Sequence, residues 1–220
     1  MPSSPIPLTL APTLPFKYVA GDPSIDLVNT VDWTPRGLVD ERLTDYDRLT
    51  RWAEGAGQLN GRQGSRLRAR AAEHPRLAER AYRDAIALRW QLRQLFVAIA
   101  HDRPVNTSPA LAELNAALSS ALGQLELAPR ASGGDEGGVL QWSWRDANEQ
   151  LDHVLWPVVW AAGELLASDE ATRIRECGGE DCGWLYIDRS RNGLRRWCQM
   201  EVCGTKEKSR QRALRRAEGQ

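Results

Sequence analysis

Cysteine is missing from the first 176 residues of this 220-residue chain, and all four cysteines lie between residues 177 and 203. No disulfide can therefore join elements of the long cysteine-free part. The short segment that holds the four thiols is too small for a hydrophobic core of its own, so something else must hold it together.

Long hydrophobic runs are missing as well. The longest, Val154–Ala162, is far shorter than the roughly 20 residues that cross a bilayer. Residues 1–17 have no basic start and no uninterrupted apolar stretch, and their prolines exclude a helix, which argues against a secretory signal. We therefore expect a soluble cytoplasmic protein with no membrane partner, whose thiols are reduced.

Motifs of catalysis and nucleotide binding are also missing. The sequence contains no G-x-S-x-G, no phosphate-binding P-loop and no G-x-G-x-x-G. His74, His101 and His153 are scattered and stand in no metal or nucleophile motif, which favours surface or capping roles for them. We do not expect an enzyme.

Charge is balanced overall but divided between two parts of the chain. The formal net charge is zero, yet residues 171–220 carry 12 Lys/Arg against 7 Asp/Glu, so the preceding part is acidic by the same margin. Such an asymmetry suggests a C-terminal region with an anionic partner.

Apolar periodicity in the long part predicts mainly helices. One helix is expected to begin at Ser24, and another lies within residues 43–59 and ends near Gly55 or Gly57. Further helices are expected over 62–73, from Pro75 to about Ile99, from Pro109 to Gly123, and over Leu151–Leu166. A strand is expected at Phe16–Val19, and a β-hairpin at residues 125–129 and 138–144. The predicted class is mainly α with a small antiparallel sheet (α+β).

The periodicity ends near residues 168–173, which divides the chain into the body, residues 1–170, and a C-terminal region, residues 171–220. The two parts are expected to have independent cores. A fragment ending near residue 170 should then remain folded.

The cysteines form two close pairs, Cys177-x4-Cys182 and Cys198-x4-Cys203, fifteen residues apart. Two such pairs are typical of a tetrahedral site in which four thiolates hold one structural Zn²⁺. Glycines at 178, 179, 183 and 204 suit tight turns around a metal. Two disulfides, an iron–sulfur cluster or four unlinked buried cysteines remain as alternatives.

The C-terminal region resembles the CGNR zinc finger, a family whose members usually carry an N-terminal ABATE domain. The resemblance rests on Cys182-Gly183-Trp184, Ser190-Arg191-Asn192, Arg195-Arg196-Trp197-Cys198 and Val202-Cys203-Gly204. In the body it rests on Phe16, Gly21 and the run Ile25-Asp26-Leu27-Val28-Asn29-Thr30. We call residues 171–220 the finger.

The resemblance implies a stress-induced bacterial transcription regulator, with a zinc-ribbon-like finger that binds DNA and a body that senses a small molecule. One position departs from the family, since its Cys-Gly-Asn-Arg box reads Cys203-Gly204-Thr205-Lys206 here. Thr205 can still cap a following helix, but Lys206 lacks the bidentate fork of arginine.

The basic end of the finger is the candidate DNA interface. If Thr205 begins a helix, Lys208, Arg212 and Arg215 or Arg216 form one basic stripe suited to phosphates. The full set of candidates is Arg191, Arg195, Arg196, Lys206, Lys208, Arg212, Arg215 and Arg216. Specific recognition would favour a homodimer on two half-sites. The alternative is a zinc-stapled module that docks on an acidic protein surface.

Candidates for an effector pocket lie in the body. They are Asp26, Asn29, Thr30 and Trp33, with Trp156 and Trp160 as an aromatic wall. A helix from Ser24 places the first three on one side, where they could equally cap and pack that helix. The tryptophans could equally belong to the core.

Overall fold

The computed structural model describes residues 9–130, 139–145 and 150–218, and helices dominate this part of the chain. They are α1 (Pro23–Val28), α2 (Tyr46–Gly55), α3 (Gly61–Glu73), α4 (Pro75–Ala100), α5 (Pro109–Leu122), α6 (Trp156–Leu166) and α7 (Thr205–Glu218). Short 3-10 segments cover Leu151–Val154 and Asp169–Arg173, and a π-helical turn covers Met200–Gly204. The predicted fold class is confirmed.

Local sequence signals explain where helices begin. Asp22 accepts a hydrogen bond from the Ser24 backbone at 2.8 Å, and Pro23 stands in the first turn of α1, where its missing N–H costs nothing. Asn60 and Gln63 form a reciprocal capping box at the start of α3.

Across the three described ranges, none of the helices combines the length and apolar surface that a membrane span requires.

The strands of the described ranges form three small sheets. β1 (Thr9–Leu10), β2 (Val31–Thr34) and β3 (Gly37–Glu41) are ordered β1-β3-β2, whereas β4 (Leu125–Pro129) with β5 (Leu140–Trp144), and β6 (Ile174–Glu176) with β7 (Leu185–Ile187), are hairpins. β1 is parallel to β3, and the other pairs are antiparallel. The expected hairpin at 125–129 and 138–144 is confirmed, although residue 138 lies outside the described residues.

Two local predictions were wrong, and two strands were missed. Phe16–Val19 is not a strand, because the backbone N–H groups of Val19 and Ala20 both donate to the Asp26 carboxylate, at 3.0 Å each. The strands β2 and β3 were not expected. The predicted helix over Leu151–Leu166 is divided into a 3-10 turn and α6, since Pro157 is accommodated only in the first turn of a helix.

One hydrophobic core runs through the body and the finger. Helix α1 packs against α4 and α6 of the body and also against β7 of the finger. Ile174, Leu185 and Ile187 of the finger belong to the same cluster of buried side chains as Ile25 of α1. The expectation of independent cores is therefore wrong, while the domain boundary near residue 170 stays a prediction.

Candidate metal centre and nucleic-acid interface

The four cysteines come from two places in the fold. Cys177 follows β6 and Cys182 precedes β7, so a knuckle within this hairpin carries the first pair. Cys198 precedes the π-helical turn Met200–Gly204, and Cys203 lies within it. The second pair therefore fixes the turn from which α7 begins.

The sulfur atoms are arranged as a tetrahedral metal requires. All four Sγ atoms lie within 4.8 Å of one another. The Sγ of Cys198 is 3.8 Å from that of Cys182 and 3.6 Å from that of Cys203. Zn–S bonds of about 2.3 Å in tetrahedral geometry separate the sulfurs by about 3.8 Å, so the four residues fit one Zn²⁺.

Backbone groups support the sulfur cluster. The N–H of Cys198 donates to the Sγ of Cys177 at 3.3 Å, and the N–H of Gly178 donates to the Arg196 carbonyl at 2.8 Å. A Cβ atom at Gly178 would stand 3.1 Å from that carbonyl oxygen, which is closer than ordinary contact. Glycine at this position therefore allows the two halves of the site to approach each other.

Proximity and burial shift the pKa values of the thiols. Hydrogen bonds with the sulfur of Cys177 raise the pKa of Cys182 and of Cys198, and burial raises the pKa of Cys203. Hydrogen bonds from Cys182 and Cys198 lower the pKa of Cys177. A bound divalent cation lowers the pKa of all four thiols, because it stabilises the four thiolates together. The donor set therefore suits a metal that closes the site, as structural zinc does.

Hydrogen bonds dock the finger on the body. The Asn29 side chain donates to the Leu185 carbonyl at 2.8 Å and accepts from the Leu185 N–H at 3.0 Å, both buried. Arg93 of α4 pairs with Glu176 at 2.6 Å and donates to the Gly183 carbonyl. Glu176 and Gly183 are neighbours in sequence of Cys177 and Cys182, so α4 directly holds the backbone of the zinc knuckle.

The basic residues predicted on the C-terminal helix lie on α7 and are exposed: Lys206, Lys208, Arg212, Arg215 and Arg216. In the described part of the chain, none of them pairs with a carboxylate. Arg210, which the sequence analysis left out, is different. It pairs with Glu207 on its own helix and with Glu180 of the knuckle, both at 3.0 Å. It ties α7 to the metal centre.

The three arginines of the preceding loop differ from one another. Arg191 is exposed, and Arg196 is exposed over the Trp197 ring, 5.4 Å from its centroid. Arg195 instead lies over Tyr186 and donates to the carbonyls of Trp197 and Cys198. Its guanidinium therefore stabilises the finger itself, and few of its N–H groups remain for an external partner.

The candidate pocket residues fall into two groups. Asp26, Asn29, Thr30 and Trp33 are buried, and their side chains bond to backbone groups; the Trp33 indole N–H, for example, donates to the Val28 carbonyl at 2.7 Å. Trp156 is buried beside Trp144, with ring centroids 5.9 Å apart. Trp160 also packs on Trp144, at 6.5 Å. An effector pocket at these residues stays a prediction.

A cleft of about 460 Å³ lies elsewhere, between the body, the zinc knuckle and the start of α7. Of the candidate pocket residues, Trp33 lines it. Lys17, Asp32 and Arg42 of the body also line it, and sequence analysis did not select them. No local pattern marks these residues, because the cleft exists only once the finger has docked.

Comparison with known families agrees with this geometry. Residues 21–169 match the ABATE model, described as "Putative stress-induced transcription regulator". Residues 173–216 match the model of the CGNR zinc finger. No curated protein matches the chain. The resemblance inferred from the residues is confirmed, and both matched families are regulatory or zinc-finger types. The finger match and the four clustered cysteines together show that the protein holds one structural zinc ion.

Proposed function

The chain belongs to the ABATE family, and we propose that it is a transcription regulator that binds duplex DNA through α7 and responds to a small molecule bound by its body. The observation that carries the proposal is the set of five exposed cations on α7 that pair with no carboxylate among the described residues. The second cysteine pair lies at the π-helical turn Met200–Gly204, from which this helix begins. An anchored helix with free cations on its surface is what phosphate binding requires.

The dimensions of α7 suit the major groove. Its 14 residues span about 21 Å, and a helix with its side chains is about 10–12 Å wide, close to the width of the groove. Lys208, Arg212 and Arg215 lie on one stripe. A single helix of this size binds weakly, so we also propose that two chains bind two half-sites about one helical turn apart.

Salt dependence of binding tests the proposal. If about four to six phosphates are contacted, the logarithm of the binding constant falls with the logarithm of salt concentration with a slope of about 0.9 per contact. Lys208→Ala and Arg212→Ala should each weaken binding to every sequence and flatten the slope by about one unit. Arg76→Ala, an exposed arginine at the start of α4, is the matched control and should change neither.

Other outcomes have defined meanings. Loss of affinity for one sequence only would place Lys208 or Arg212 on base edges rather than phosphates. Absence of salt-dependent binding to any duplex at low ionic strength would overturn the DNA proposal. The protein-docking alternative would then stand, and exposed Leu214 on α7, beside its cations, would be the first residue to test for it.

A further inference from the structure

The cleft of about 460 Å³ has the size of a small-molecule site. Its walls belong to different parts of the molecule, with Lys17 and Val39 on the body and Val202 and Lys206 on the finger. A ligand bound there touches α7 and the body at once. The site is therefore placed to link ligand binding to the position of the basic helix.

The carboxylates of the cleft are already paired. Asp32 accepts two hydrogen bonds from Arg42, at 2.9 and 3.1 Å, and a third from the Trp184 indole at 3.0 Å. The other acidic side chains of the lining are Glu180 and Glu207, which pair with Arg210, and Asp181, which pairs with Arg36. Each of these acidic side chains already has a cationic partner.

Two cations of the cleft have no such partner. Lys17 lies over the Trp184 ring, with its Nζ 5.5 Å from the centroid, and no carboxylate of the described ranges pairs with it. Lys206 likewise has no carboxylate partner among the described residues. Cys182, Cys198 and Cys203 also line the cleft, so a zinc site with a charge of about −2 lies in its wall. Arg195, which pairs with no carboxylate among the described residues, donates to the Cys198 carbonyl and offsets part of this charge.

We propose that this cleft is the effector site and that it binds a small organic acid. The carboxylate lies between Lys17 and Lys206, and the apolar part of the ligand contacts Val39, Val202 and Trp33. This inference rests on the sensing half of the proposed function. Because Lys206 is also a candidate phosphate contact, the bound acid ties α7 to the body and lowers its affinity for DNA.

Ligand binding is tested without DNA, on the zinc-loaded full chain. Benzoate is titrated and observed by saturation-transfer NMR, with benzamide as the neutral probe of the same shape. Benzoate should bind, and Lys17→Gln and Lys206→Gln should each weaken it about tenfold, as expected for one charge-assisted hydrogen bond. Lys208→Gln, two residues along α7 and outside the lining, is the matched control and should leave the affinity unchanged.

Three results would overturn the site: benzamide binding as well as benzoate, no benzoate binding at millimolar concentration, or an equal loss in Lys208→Gln. The link to DNA is measured separately, and saturating benzoate should weaken duplex binding of the unmodified chain but not of Lys17→Gln. Benzoate binding with no effect on the duplex affinity would refute the link alone. Benzoate binding by a protein that binds no duplex would refute the DNA-binding proposal and leave the acid site standing.

Discussion

The body and the finger use arginine in opposite ways. Arg89 of α4 is buried, contacts both oxygens of the Glu41 carboxylate, and donates to Thr30 at 3.0 Å. Arg212 and Arg215 on α7 are exposed, and no carboxylate of the described ranges pairs with them. The number of cations alone therefore says little about function. Whether the fold has already paired them decides whether they are available to a partner.

The two regions also differ in what holds them together. The body is stabilised by packing of helices around α1, whereas the finger adds four thiolates and a metal to a hairpin of three-residue strands. Yet the finger's hairpin completes the core of the body. The four metal ligands belong to the finger alone, but the stability of the two regions is shared.

Loss of zinc should have the largest effect. Cys198→Ser removes a buried ligand, and structural zinc contributes an apparent stabilisation on the order of 10–16 kcal/mol to its domain. Because Leu185 and Tyr186 are part of the common core, the whole chain should melt at a lower temperature once the finger unfolds. Calorimetry and elemental analysis measure both losses, with Ser209→Ala, an exposed residue of α7, as the control.

A separate, unchanged transition of the body in Cys198→Ser would restore the view of two independent cores. The same question can be asked with a chain ending at residue 170. It leaves the faces of α1 and α4 that contact the finger uncovered, and we now expect it to aggregate rather than remain soluble.

Breaking the buried ion pair of the body should have the next largest effect. Arg89→Met leaves the Glu41 carboxylate buried without its cation, which costs about 3–5 kcal/mol of unfolding free energy. The double variant Arg89→Met/Glu41→Met should recover most of this loss. Arg83→Met, an exposed position of the same helix, should cost less than about 1 kcal/mol in the same urea titration. A loss for Arg89→Met no larger than for Arg83→Met would remove the contrast between the two regions.

Asn29→Ala should weaken the junction between the regions. It leaves the N–H and the carbonyl of Leu185 buried without their partner, at a cost of about 2–4 kcal/mol for two groups. Asn115→Ala, exposed on α5, is the matched control. Calorimetry should show a lower melting temperature and a broader transition for Asn29→Ala. If the two variants behave alike, these two hydrogen bonds do not couple the finger to the body.

Asn29 also shows how much of the structure could be predicted from the sequence. Periodicity, prolines and caps located the helices of the body, and cysteine spacing identified the metal ligands, because these signals act between residues close in the chain. The partner of Asn29 is 156 residues away, and neither pattern nor composition identifies it. The strands β2 and β3 were missed for a related reason, since their pairing depends on a turn and on tertiary packing rather than on propensity alone.

The cleft shows the same limit for function. Lys17 belongs to the body and Lys206 to the finger, and their common surface arises from docking that no single motif encodes. The cations of α7 were predictable because they lie on one helix. Their availability was not, since Arg210 on the same helix is paired across to Glu180.

The smallest expected effect concerns Asp26, a carboxylate of the body with no cation beside it among the described residues. Burial raises its pKa to about 6, although it accepts two backbone N–H groups. The folded chain therefore binds this proton more tightly than the unfolded chain, so the contribution of Asp26 to stability is greatest below about pH 4 and is lost as the pH rises through about 6.

Asp26→Asn keeps an oxygen acceptor and removes the charge, and it should stabilise the protein by about 1–3 kcal/mol at pH 7. Urea titrations at pH 7 and pH 5 should show this gain shrinking at the lower pH, with exposed Asp84→Asn as the control. A variant that is less stable than the unmodified protein at both pH values would mean that Asp26 is needed as an anion, and the body would then hold a charge whose partner is still to be found.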